Sequence, residues 1–293
     1  MKLFKKVMVL MMLAVMLLVA GCGNSVSADK SQSGTTAVAK SSETEKGTQT
    51  GEKKAITDFK DVNTDVVSLI ALGNSDVPVG QYSQEIFKNL GFWDNMQSKI
   101  SYGSTVKEVL SQVEEGSVSC GVVYATDAAT SQGVKVACKA PDSALKTPVI
   151  YPVAPLTNSK NPEAAKAFLN FLLTDDAINE FKKVGFKMAT DAKPEEVKAD
   201  TTCTLNIFAA ASMTESFKEI QKLFNVKYPN ITLVFNFDSS GTLQKQVEQG
   251  AAADVFVSAA QKQVDALQKE GYINADSVIK LLQNEVVLIV PKK

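Results

Sequence analysis

Between residues 55 and 293, short apolar runs alternate with stretches of helical periodicity. The runs at 69–72, 121–124, 134–137, 149–154, 204–208, 232–237, 254–258 and 286–290 have the length and branched-aliphatic content of strands. Between them, Met213, Phe217, Ile220 and Phe224 recur at spacings of 4, 3 and 4, which lines one face of a helix. Val106, Val109, Leu110 and Val113 form a second such stripe, and Ala165, Phe168, Leu169 and Leu172 a third. Strands that alternate with helices predict an α/β fold with largely parallel sheets. A pattern of this length fits two lobes better than one sheet. One stretch breaks the rhythm: 188–202 is polar, contains Pro194 and is predicted to be a surface linker.

The N-terminal pattern is different. Lys2, Lys5 and Lys6 precede an apolar run over 7–20, the charged and hydrophobic regions of a secretory signal. The run is too short for a comfortable membrane span. It ends in VAGC at 19–22, which resembles a bacterial lipobox and predicts cleavage before Cys22 with lipidation of its thiol. Residues 23–54 contain no aromatic, Leu, Ile or Met, so they bury too little apolar surface to offset the entropy of ordering. They are predicted to be a disordered tether with an r.m.s. reach of roughly 30 Å. The expected location is extracytoplasmic, anchored to the cell membrane through Cys22.

Composition narrows the chemistry. The formal net charge is −1, which argues against nucleic-acid binding by bulk electrostatics. There is no His, so His-based general-base catalysis and His-containing metal sites are excluded. There is also no Arg, so any bound anion must be held by Lys, hydroxyls or backbone N–H groups. No nucleophile elbow or paired-carboxylate constellation is present, and a binding protein rather than an enzyme is expected. Cys120 and Cys138 each flank a strand-like run; two free thiols are expected, with a disulfide open if those strands are neighbours. Cys203 has no evident partner, and the absence of CxxC spacing gives no metal or redox site. Trp93, the single Trp, reads as a packing residue.

Three loop-to-helix junctions carry candidate chemistry. FAAAS at 208–212 ends a strand in small residues, and Ser212 with Glu215 has capping-box spacing at a helix start. DSSGTL at 238–243 and GSTV at 103–106 repeat the strand, small polar loop, helix sequence. Helix N-termini present unpaired N–H groups and the positive end of the dipole, so each is a potential anion site.

TLNIFAAAS at 204–212, NFDSSGTL at 236–243, GAAADVFVSA at 250–259 and the closing 284–291 resemble the first half of the molybdate-binding proteins of ABC transporters. ALGNSDVPVGQY at 71–82, GVVYATD at 121–127 and YPV at 151–153 resemble the second half. The resemblance covers essentially all of 55–293, but with the two halves exchanged, as in a circular permutant. It implies a type II periplasmic-binding-protein fold, two α/β lobes with a ligand cleft. One lobe is expected over 55–154, joined by a strand at 284–293, and the other over 155–283, with the linker at 188–202.

The resemblance also implies a function: an extracytoplasmic lipoprotein, expected to be monomeric, that binds molybdate or tungstate and delivers it to an ABC permease. No cofactor and no metal ligation are implied, because the molybdenum arrives as an oxyanion. The alternatives are a binding protein for sulfate or another tetrahedral oxyanion, and a surface lipoprotein that has lost binding. Carried over by motif, the anion donors are Ser212, Ser240, the backbone N–H groups of Val79 and Val106, and the Tyr124 hydroxyl. Two positions depart from the family pattern. Val79 stands where the family often has Ala, and Asp238 stands where it often has Gly or Ala. A carboxylate aimed at a dianion is unfavourable, so Asp238 is expected to face solvent.

Overall fold

The computed structural model describes residues 55–292. The signal sequence, Cys22 and the 23–54 segment lie outside the described residues. After a 3-10 turn at Phe59–Asn63, the chain forms β1 (Ile70–Gly73), α1 (Pro78–Asn89), β2 (Ile100–Gly103), α2 (Val106–Glu114), β3 (Cys120–Tyr124), α3 (Ala125–Ala129) and β4 (Val134–Lys139). It then forms β5 (Ile150–Pro155), α4 (Pro162–Phe171), α5 (Asp175–Lys183), β6 (Lys187–Met188), β7 (Cys203–Ala210), α6 (Thr214–Lys227), β8 (Ile231–Asp238), α7 (Ser240–Glu248), β9 (Val255–Val257), α8 (Gln261–Lys269) and β10 (Ile279–Gln283). β11 (Val286–Pro291) closes the described chain.

These strands build a five-stranded sheet in the order β2-β1-β3-β11-β4 and a six-stranded sheet in the order β6-β10-β5-β9-β7-β8. β1 pairs in parallel with β2 and β3, and β7 in parallel with β8 and β9. The remaining pairs, made by β5, β6, β10 and β11 with their neighbours, are antiparallel, so both sheets are mixed. The chain passes between the sheets at 140–149 and again at 284–285. The Asn284 N–H donates to the Val149 carbonyl at 3.0 Å, which holds the two crossings side by side.

All eight apolar runs are strands. β2, β6 and β10 were not anticipated. In β2, Tyr102 is exposed and Ser101 interrupts the apolar run, as suits the edge of a sheet. β6 is only two residues long. The boundary expected after residue 154 is corrected: β5 lies inside the six-stranded sheet, between β9 and β10, so the five-stranded unit ends before Ile150. Tyr151 and Val153 are fully buried there. Of the 188–202 linker, Met188 ends β6 and the rest has no regular structure, yet it is stapled down. The Asn170 side chain bonds both backbone groups of Glu195, and the Tyr228 hydroxyl donates to the Val197 carbonyl at 3.1 Å.

Helices α1 and α2 pack on β1 and β3. One face of the six-stranded sheet carries an aromatic cluster of Phe168, Phe171, Phe181, Phe217 and Phe224 from α4, α5 and α6. The other carries α7 and α8 over Phe208, Leu243, Val247, Phe256 and Val264. The three stripes read from the sequence are those that face inward: Val106 to Val113 on α2, Ala165 to Leu169 on α4, and Phe217 to Phe224 on α6. Cys120 and Cys138 are free thiols, as is Cys203. β11 lies between the strands of the first two, which puts their backbones about 9–10 Å apart, beyond disulfide reach. Burial pushes the Cys120 thiol up to about 12 and Cys138 to about 11, so both stay protonated and unreactive.

Candidate functional site

The strand-to-helix turns of the two sheets meet along a seam, and all five sequence-predicted donors lie buried in it or beside it. Ser212 sits in the 3-10 turn Ala211–Met213 that follows β7. Its expected capping role is corrected: α6 begins at Thr214 and has no side-chain cap. The Ser212 hydroxyl instead lies 3.0 Å from the Tyr151 hydroxyl of β5. Ser240 is the first residue of α7; the cap is Ser239, whose hydroxyl accepts from the Thr242 N–H. Ser240 Oγ accepts from the Ala259 N–H at 3.0 Å, and the Ala259 carbonyl accepts from the Tyr124 hydroxyl at 3.3 Å. The Tyr124 and Tyr151 rings pack edge to face at 5.5 Å. Ser212, Tyr151, Tyr124, Ala259 and Ser240 thus form one connected buried chain that spans both sheets.

Val79 and Val106 lie at helix starts and are buried in the same core as Tyr124 and Tyr151. Val79 is the second residue of α1, and Gly80 next to it packs so tightly on β1 that a Cβ would stand 2.1 Å from the Gly73 carbonyl. The loop before α1 meets the start of α7: the Gly241 N–H donates to the Asp76 carbonyl at 2.9 Å, and Lys245 pairs with the Asp76 carboxylate at 2.6 Å. A Cβ on Gly241 would stand 2.5 Å from that carbonyl, so only glycine allows the two helix starts this close. Val106 begins α2, capped by Thr105, whose hydroxyl accepts from the Glu108 N–H. α2 neighbours the 3-10 turn of Ser212.

Asp238 does not face solvent freely. It is half-buried, and its carboxylate folds back to accept from the Ser239 N–H at 2.6 Å. That contact occupies the charge at the helix start. Trp93 is half-buried and packs against the core.

The sequence did not single out Tyr151, Ala259 or Asn284. Asn284 Nδ2 donates to the Tyr151 hydroxyl at 3.2 Å and to Thr126 Oγ1 at 2.8 Å, from the crossing between the sheets. Tyr151 lies in the YPV motif, and a phenol in an otherwise apolar strand was the available signal. Burial raises both the Tyr124 and Tyr151 hydroxyls well above the usual phenol range, and they remain donors at any physiological pH. A cavity of about 590 Å³ has Tyr82 and Ala260 among its wall residues. The Tyr82 ring packs edge to face on Tyr124 at 6.4 Å. Among the described residues no cluster of Cys, Asp and Glu could hold a metal ion, and no helix is long and apolar enough to cross a membrane.

Hydroxyls and helix starts are thus buried together between two α/β sheets. The model of the bacterial extracellular solute-binding protein family matches residues 34–187 and 205–293. The chain belongs to that family, whose members bind solutes and do not transform them, and the two-sheet architecture is of the periplasmic-binding-protein type. YvgL of Bacillus subtilis (strain 168), provisionally named an ABC transporter substrate-binding lipoprotein, is 41% identical over 118 residues, 40% of this chain and 45% of that one. The molybdate-binding protein ModA of Escherichia coli (strain K12) is 36% identical over 118 residues, with the same coverage of 40% and 45%. The chain thus matches less than half the length of either curated relative. A crystal structure of the phosphate-binding protein of a phosphate ABC transporter from Streptococcus pneumoniae TIGR4 has a TM-score of 0.49 at 13% identity, covering 77% of this chain and 89% of that one.

Proposed function

We propose that this chain binds molybdate or tungstate in the seam and presents it to an ABC permease. The observation that carries the reading is the state of the two serine hydroxyls. Ser240 Oγ already accepts an N–H from Ala259, so its own proton is available to an acceptor in the seam. Asn284 donates to Tyr151, which fits a relay in which Tyr151 donates on to Ser212 and the Ser212 proton is likewise available. Backbone N–H groups at the starts of α1 and α2 complete a set of neutral donors in which no carboxylate takes part. Such a set suits a fully deprotonated tetrahedral dianion. Hydrogen phosphate carries a proton that this site would leave unpaired, at a cost of about 1–3 kcal/mol. Sulfate has no such proton and must be rejected by size, because a cavity cut for the larger anion makes its hydrogen bonds too long. Affinity then comes from preorganised dipoles in a water-excluded seam, not from a formal counter-charge. The name of the Escherichia coli relative supports the choice of molybdate.

The permuted order belongs to the same proposal. Ala55 and Ile56 line one cavity together with Val290 and Pro291, so the two ends of the folded body adjoin. The family match skips only 188–204 within the body, the stretch that would join the family's usual ends. Lipidation of Cys22, anchoring to the membrane, a monomeric state and lobe closure as the signal to the permease complete the picture. Calorimetric titration of residues 55–293 with molybdate, in a large excess of sulfate, tests it. Saturable one-to-one binding that survives the sulfate is expected. No heat with molybdate, tungstate or sulfate from folded protein overturns it.

A further inference from the structure

The GVVYATD motif ends in Asp127, and the oxyanion reading uses only its Tyr124. Asp127 is the third residue of α3, and its carboxylate is wholly buried. Neither carboxylate oxygen has a well-formed hydrogen bond, but Lys107 Nζ approaches Oδ1 to 3.1 Å. A buried carboxylate needs a counter-charge, and leaving either member alone is strongly unfavourable. Burial pushes the Asp127 carboxyl up, and Lys107 with the Tyr124 backbone pulls it back. The positions of the two residues are informative. Lys107 directly follows Val106 at the start of α2, and Asp127 lies three residues after Tyr124. The pair therefore ties the start of α2, which carries the Val106 donor, to the turn of chain that follows the Tyr124 donor. On its outer side Lys107 lines a cleft of about 500 Å³ with Glu114 and Glu215. Glu215 lies on α6, just beyond Ser212, and is itself paired with Lys218 at 3.5 Å. Lys107 thus follows the proposed Val106 donor directly in sequence, and Asp127 is its ion-pair partner.

The geometry points to the Lys107–Asp127 pair as a positioning and charge-balancing device that sets which dianion the seam admits. It fixes the separation of the Val106 N–H from the Tyr124 hydroxyl, and so the radius of the anion held between them. It also cancels an ammonium group whose pull, stronger on a smaller dianion that approaches more closely, would favour sulfate. This inference rests on the oxyanion reading above.

The test is the ratio of molybdate to sulfate affinity, measured by calorimetry on the chain and on Asp127→Asn, Lys107→Met and Lys107→Arg variants, each checked for folding by circular dichroism. Asp127→Asn frees the ammonium and is expected to lower the ratio at least tenfold, mainly by admitting sulfate. Lys107→Met is expected to weaken both anions, and Lys107→Arg to keep the parental ratio, because a guanidinium pairs with the same carboxylate. Folded Asp127→Asn with an unchanged ratio overturns the inference while leaving the oxyanion reading intact. If the single variants do not fold, the uncharged pair Lys107→Met with Asp127→Leu decides on the same criterion. No binding of either anion by the parent chain is the separate failure of the oxyanion reading, and the inference falls with it.

Discussion

Ser240 and Tyr124 meet on a single residue, Ala259, which gives its N–H to one and its carbonyl to the other. The two hydroxyls therefore differ in what they have left to offer. The serine proton is unclaimed, whereas the tyrosine proton must leave the Ala259 carbonyl to reach an anion. Ser240→Ala is expected to weaken molybdate binding by about 1.5–3 kcal/mol, the range for a hydrogen bond to a charged group, which is about 10- to 150-fold in Kd. Tyr124→Phe is expected to cost less, because its donor first has to break an existing bond. Calorimetry on both variants checks the order of the two losses. At this scale the sequence was readable where small polar residues start helices, as at Ser240 and Val106. It was not readable for the Ser212–Tyr151 contact, which joins residues 61 positions apart. Capping spacing at Ser212 pointed to a local partner, but the fold supplied a distant one.

The eight strands read from the sequence are those in which apolar residues run unbroken or nearly so. Burial on both faces produces that pattern in most of them, while β4 and β8 are partly exposed and were read from their branched and aromatic residues. The missed strands lack that pattern. β2 alternates with a serine and an exposed tyrosine, and β10 carries Lys280 and Gln283 on its exposed positions. β11 is the extreme of the buried kind, with Leu288 and Ile289 fully enclosed between β3 and β4. Leu288→Ala removes a branched side chain from a packed sheet and is expected to destabilise the folded state by about 2–5 kcal/mol. Urea unfolding followed by circular dichroism measures it. A loss under 1 kcal/mol would mean that the strand pairs without packing.

At the scale of the whole molecule, one carboxylate bridges the two sheets. Glu285 lies in the crossing between β10 and β11 and pairs with Lys139 of β4 at 2.9 Å and Lys187 of β6 at 3.1 Å. Hydrogen bonds from Lys139 and then Lys187 hold its carboxyl below the usual carboxylate range. A group lowered in this way stabilises the folded state above its unfolded-state value and loses that contribution as pH falls through its folded value. Glu285 is about one-third exposed, so the expected contribution is small, about 1 kcal/mol at neutral pH. Glu285→Gln should lower the melting temperature at pH 7, and the difference from the parent should shrink as pH falls through the lowered folded-state value of the carboxyl. An unchanged difference at acid pH would assign the effect to the lost side-chain packing.

β11 pairs with Tyr124 of β3 across 162 positions of chain, and with β4 across nearly as many. Everything that builds the six-stranded sheet is made between those partners. Until β11 arrives, β3 and β4 face a gap one strand wide, with unpaired backbone edges on both sides. Such contacts of high sequence separation form slowly, and open edges invite association with other chains. The five-stranded unit is thus a lock whose bolt comes after its other four strands in the chain, and a folding chain would depend on staying unaggregated until that bolt slides home.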